Sequence, residues 1–292
     1  MAGGLIECVP NFSEGRDADV VRAIGGAIVS VPGARILRSE MDADHNRSVI
    51  TFVAPPESVG EAALAGIVRA VESIDLRRHA GAHPRIGAAD VVPLVPLAGA
   101  AIEDCVRIAH KLGAEVWRRL GVPVYFYEKA ALAPERKRLE NVRRGGFERP
   151  AMTPDLGGPE LHSSAGACII GARNLLVAFN VNLASGDVSI ARAIARKVRE
   201  SSGGLPALKA MGVFLASRGM AQVSMNLTDF ERTPPHIAYE AVRSEAEARG
   251  VSIMGTQIVG LIPRQAVEMA KDYAPLHHFA DGQVLEDRLA DV

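Results

Sequence analysis

The chain repeats itself, and that repetition limits its folds more than any other feature of the sequence. Val9-Pro-Asn11-Phe-Ser13-Glu-Gly15 turns a short apolar run into a helical stretch carrying Arg22-Ala-Ile24. Asn182-Leu-Ala-Ser185-Gly186 does the same ahead of Arg192-Ala-Ile194. The element order around each turn is also alike. In the first half, a strand over 5–10 leads to a helix over 17–31. Strands at 34–38 and 48–53 then flank the polar loop 40–47, a helix covers 56–73, and a strand runs over 91–97. A further helix over 101–120, striped by Ile102, Val106, Ala109 and Leu112 and closed by Gly121, precedes a strand at 122–127. In the second half, strands at 175–183, 221–227 and 251–261 alternate with helices at 185–199 and 235–250. A weak strand lies near 210–215, and Pro263 opens a last helix. The pattern predicts an α+β fold built from two βαββαβ units, residues 1–176 and 177–292, with helices packed on mainly antiparallel sheets.

At 292 residues the chain has enough length for two cores that need no staples. Cys8, Cys105 and Cys168 lie far apart in apolar settings and form no metal or disulfide pattern. No run of 18 apolar residues occurs, and the N-terminus lacks a leader pattern, so a soluble cytoplasmic protein is expected. The 33 basic and 34 acidic residues leave a formal net charge of −1. That balance gives no pull toward nucleic acid or an anionic membrane, which points to small-molecule partners.

The polar residues collect at strand ends. His79-Ala-Gly-Ala-His83-Pro-Arg85-Ile-Gly-Ala-Ala-Asp90 is a loop shaped by Gly81, Pro84 and Gly87 that feeds an apolar strand. Asn11 to Arg16 and Glu40 to Arg47 are the other two clusters. If the loops converge, Asn11, Arg47 and Arg85 can hold an acidic substrate, and one of Glu40, Asp42 or Asp44 can orient His83 for proton transfer. A metal centre is not expected, because Gly81 and Pro84 break the helix that the His79 to His83 spacing would need. A serine hydrolase is not expected either, since the chain has no G-x-S-x-G turn. The charged run 129–149 reads as a solvated helix, or as a patch that attracts a polyanionic substrate tail. The glycine-rich segment 153–166 reads as a linker or as a loop that closes on a ligand.

Ile6–Gly15, Asn46–Phe52, His83–Ala88, Gly121–Tyr125, Gly171–Asn174, Phe179–Asn182, Ala221–Asn226 and Gly255–Leu261 together resemble the glutamate formiminotransferase family. This is the folate-dependent part of the formiminotransferase-cyclodeaminases. The resemblance spans nearly the whole chain and implies a monofunctional transferase of two ferredoxin-like subdomains, usually a homodimer, with tetrahydrofolate as co-substrate. The implied reaction moves the formimino group from N-formimino-L-glutamate to N5 of tetrahydrofolate. His83 matches the family's catalytic histidine. Gly157, Gly158, Pro159, Glu160, Leu161, His162, Ser163, Ser164, Ala165 and Gly166 match its folate-binding segment. The chain departs from the pattern at Ala82, where members often carry glutamate. Formyl transfer from N-formylglutamate, handling of 5-formyltetrahydrofolate, and a non-catalytic folate-binding protein are the alternatives.

Overall fold

The computed structural model describes residues 4–277 and 279–291. The chain divides into two compact units between Asn174 and Leu175.

In the first unit, β1 (Ile6–Cys8) and β2 (Asn11–Phe12) replace the single strand expected over 5–10. Pro10 has no N–H to give to a ladder, and the chain steps there. α1 (Ala18–Val29) begins at Asp17, whose carboxylate accepts from the N–H groups of Asp19 and Val20. β3 (Arg35–Asp42) and β4 (Arg47–Ala54) form the expected hairpin, but β3 is longer than the sequence suggested. Glu40 and Asp42 therefore lie on a strand, and the connecting turn shrinks to 43–46. α2 (Pro56–Ser73) starts with proline, as a first helical turn tolerates. β5 (Ala89–Pro96) follows the histidine loop, α3 (Ile102–Leu120) ends in left-handed Gly121, and β6 is Val124–Glu128.

β1 lies between β4 and β5, and β3 pairs with β4, so the four positions β5-β1-β4-β3 make the antiparallel ferredoxin-like sheet. The sheet then extends beyond expectation. β7 (Cys168–Ala172) pairs parallel to β5 on one side and to β6 on the other. All five β7 residues are buried, the mark of a strand covered on both faces.

The helix expected over 129–149 does not form. A turn of 3₁₀ helix at 134–137 and the four-residue α4 (Leu139–Val142) stand in its place. Arg136 and Arg143 turn inward to Asp155 and Asp90, so the run is not a uniformly solvated face.

The second unit contains β8 (Val177–Leu183), α5 (Val188–Val198), β9 (Leu208–Leu215), β10 (Met220–Leu227), α6 (Pro235–Glu247) and β11 (Ile253–Val259). Short helices α7 (Arg264–Glu268) and α8 (Leu285–Ala290) close it. Its sheet order, β11-β8-β10-β9, reproduces the antiparallel order of the first unit, so the duplication is structural. Val177, Phe179, Val181 and Leu183 alternate into the core with the side chains of α5 and α6.

Candidate functional site

The histidine loop is held from two sides. On one side lies the turn after β3. Asn46 adopts a left-handed backbone (φ 47°), a conformation asparagine tolerates better than most residues. Its side chain accepts from Gly15 N–H at 3.0 Å and donates to the Ala80 carbonyl at 3.1 Å. Its own carbonyl receives His79 Nε2 at 2.8 Å, and Ala82 N–H donates to the Asp44 carbonyl at 3.0 Å. Gly81 makes this approach possible, because a Cβ there would stand 2.2 Å from the His45 carbonyl oxygen.

On the other side lies the segment before β7. Ala88 N–H donates to Ala165 O, Ala167 N–H donates to Ile86 O, and Leu76 N–H donates to Ser164 O. Gly166, with φ 68°, faces Gly87 across an antiparallel bridge, and a Cβ at Gly166 would lie 2.0 Å from Ile86 O. The glycine-rich segment is therefore stitched to the histidine loop within one unit. Gly158, Pro159, Glu160 and Ser163 remain exposed, while Ala165 and Gly166 are buried in the seam.

His83 is half-buried, and its Nδ1 sits 2.8 Å from the Pro84 carbonyl. A carbonyl oxygen can only accept, so Nδ1 carries the hydrogen and the lone pair is on Nε2. The His45 ring is its neighbour, with centroids 5.8 Å apart. Desolvation, then the positive charges of Arg47 and Arg143, drive the His83 pKa well below 6.5, against a smaller opposing pull from Asp90. The ring is thereby kept neutral and able to accept a proton.

Those three charged groups form one cluster. Asp90, at 0 % exposure, receives Arg47 Nη1 at 2.6 Å and Arg143 Nη2 at 2.7 Å on a single oxygen, Oδ2. Its Oδ1 takes the Ile86 N–H at 2.8 Å. Burial alone would raise the carboxyl pKa, but Arg143 and Arg47 outweigh it and hold the group at about 2. Burial pushes Arg47 down to about 10, with Asp90 opposing. Arg47 Nε donates to Asn11 Oδ1 at 3.0 Å, which brings β2, β4, β5 and the α4 turn to one point.

The expected site residues separate into two groups. Asn11 and Arg47 join this cluster, whose charges act on His83. Arg85 spends both terminal nitrogens on Glu148, at 2.8 and 3.2 Å, and also reaches the carbonyls of Leu76 and His79, so it braces the loop. Glu40 is engaged with Arg38, and Asp42 accepts the His45 N–H. Asp44 meets the loop through its backbone carbonyl. The carboxylate whose charge acts on His83 is Asp90. Sequence reasoning missed Asp90 and Arg143 as site residues. A carboxylate inside the apolar run Ala89 to Leu97 was the available signal for Asp90, since a buried aspartate requires a partner. Among the described residues, no group of three or more His, Cys, Asp or Glu side chains is placed to hold a metal ion.

Comparison with known proteins gives the family. The formiminotransferase domain's N-terminal subdomain matches residues 5–173, and the formiminotransferase domain matches residues 178–281. A glutamate formimidoyltransferase from Thermoplasma acidophilum is 47 % identical, covering 98 % of this chain and 97 % of that protein. One from Streptococcus pyogenes is 40 % identical, covering 98 % of each. The formimidoyltransferase-cyclodeaminase of Gallus gallus is 42 % identical over 92 % of this chain and 52 % of its own length. With both subdomains matched in order and relatives aligned nearly end to end, this chain belongs to the formiminotransferase family.

Proposed function

We infer that the protein is a glutamate formimidoyltransferase, moving the formimino group from N-formimino-L-glutamate to N5 of tetrahydrofolate. The near full-length identity to glutamate formimidoyltransferases supports the activity. The observation that carries the mechanism is His83, with Nδ1 committed to Pro84 and a neutral Nε2 left for chemistry.

N5 attacks the amidine carbon and forms a new C–N bond, while the C=N π pair moves to the terminal nitrogen of the protonated amidine. The tetrahedral adduct then carries a cationic N5–H. His83 Nε2 takes that proton and delivers it to the glutamate nitrogen. As the bond from carbon to the glutamate nitrogen breaks, the terminal nitrogen's lone pair restores C=N, releasing glutamate and 5-formiminotetrahydrofolate. A low-pKa imidazole suits both proton transfers. The adduct ammonium is acidic enough for a weak base, and the imidazolium is a strong acid toward the leaving amine.

The segment Gly157 to Gly166 is assigned to folate, on the family match and on its seam with the histidine loop. Asn11 and Arg47 are assigned to the acidic donor. The reading includes a homodimeric cytoplasmic enzyme without a metal. No described helix is long and apolar enough to cross a membrane. The test is turnover by the purified protein: formation of 5-formiminotetrahydrofolate and glutamate in equal amounts from N-formimino-L-glutamate and tetrahydrofolate supports the reading, and the absence of product removes it.

A further inference from the structure

The Arg47–Asp90–Arg143 cluster is electrically incomplete. Two guanidinium groups share one carboxylate oxygen, and the remaining oxygen of Asp90 is taken by a backbone N–H, so one positive charge has no counterpart within the cluster. Arg143 Nε is buried without a hydrogen-bond partner. Both side chains nevertheless keep some exposure, 11 % for Arg47 and 14 % for Arg143. A buried excess cation is costly unless something neutralises it, and a second carboxylate is the group whose geometry fits a pair of guanidinium forks. The Ile86 N–H that holds Asp90 belongs to the same loop as His83, three residues on, and the charges of both arginines act on the ring, so an anion that completes the cluster lies at the histidine loop.

We propose that Arg143, together with Arg47, is a specificity-determining contact for the α-carboxylate of the formimino donor. This rests on the transferase reading above. The α-carboxylate is attached to the carbon that bears the leaving nitrogen, so a group bound beside His83 delivers that nitrogen to the ring. The γ-carboxylate lies three carbon–carbon bonds from that carbon and is held elsewhere. Arg143 comes from the turn that follows α4, far in sequence from the histidine loop, and its placement gives that turn a purpose beyond covering the sheet.

Removing Arg143 leaves Arg47 and Asp90 as a balanced pair, so Arg143→Gln is expected to fold, checked by an unchanged melting profile. The experiment compares three donors on the wild type, Arg143→Gln and Arg143→Lys: N-formimino-L-glutamate, N-formimino-4-aminobutyrate, which lacks only the α-carboxylate, and N-formimino-2-aminobutyrate, which lacks only the γ-carboxylate. In Arg143→Gln, KM for N-formimino-L-glutamate should rise by about tenfold or more, the scale of one lost charged contact. KM for tetrahydrofolate should stay put, and Arg143→Lys should recover part of the loss. The penalty should persist with the 2-aminobutyrate donor and vanish with the 4-aminobutyrate donor. An equal penalty on all three donors makes Arg143 a structural residue and overturns the assignment, as does an unchanged KM. Failure of the wild type to transfer the group at all defeats the transferase reading instead. Glutamate binding by calorimetry then decides the site independently: binding that is weakened in Arg143→Gln supports it, and binding that is indifferent or absent rejects it.

Discussion

The imidazole of His83 directs its Nδ1 hydrogen at the carbonyl oxygen of Pro84, the next residue in the chain, at 2.8 Å. This local bond fixes the tautomer without help from a carboxylate side chain. It also sets the first expectation. His83→Ala should fold, bind tetrahydrofolate and lose turnover by at least about a hundredfold, the usual scale of general acid–base catalysis. Near-normal turnover in a folded variant would leave the shuttle without support.

Asp90 should be among the most stability-critical polar residues of the first unit. Asp90→Asn leaves Arg47 and Arg143 facing each other with no countercharge. Unpaired buried charge of this kind costs about 3–5 kcal/mol. Urea unfolding of the wild type and the variant reads the difference directly. A change below about 1 kcal/mol would mean that water reaches the cluster.

Catalysis should tolerate acid further than a free histidine would. With the His83 pKa well below 6.5, kcat/KM should hold level from neutral pH down through 6.5 and fall only at lower pH, as Nε2 gains a proton. Arg143→Gln removes one of the two charges that depress the pKa, so its acid limb should move upward. Stability follows the same sign. The unfolded chain protonates this histidine near pH 6.5 while the native state does not, so acidification from about pH 6.5 toward the native pKa favours unfolding. An acid limb at or above 6.5 in the wild type contradicts the assignment.

Tetrahydrofolate should slow hydrogen exchange across 157–166. The exposed tip, Gly158 to Glu160, should respond most, since the Ala165–Gly166 end is already bonded in the seam. Unchanged exchange at saturating folate would return the segment to the status of a connector.

Activity should survive exhaustive chelation. A loss restored by one particular divalent ion would show that ligands come together in a way the sequence spacing did not suggest.

Much of this architecture was legible because it rests on local chemistry. The stripe from Ile102 to Leu112 ended by Gly121 specifies α3, and Asp187 ahead of Ser189 specifies the start of α5. The less legible parts depend on partners remote in the chain. Cys168 to Ala172 is too short and uniformly apolar for periodicity to show a strand, and its identity comes from lying between β5 and β6. Arg143 sits in a run whose average charge suggests solvent, and nothing nearby in sequence marks it as the one that turns to Asp90. Asn11 and Arg47 were legible as a pair of polar residues at strand ends. Arg85 looked the same by that criterion, and only the position of Glu148 distinguishes its bracing role.

The parallel pairing of β5 with β7 also has a consequence for how the protein comes into being. The loops that lead into these two strands stand side by side, yet α3, β6 and the α4 turn are all synthesised between them. A chain emerging from the ribosome presents the His83 loop long before Ala165 and Gly166 exist to close against it. The seam and the Arg143 contact with Asp90 are thus both long-range closures, the slow kind to form. Until they are made, Arg47 is the one arginine of the cluster on Asp90, and the strands already made form a half-built sheet with β5 as a bare edge.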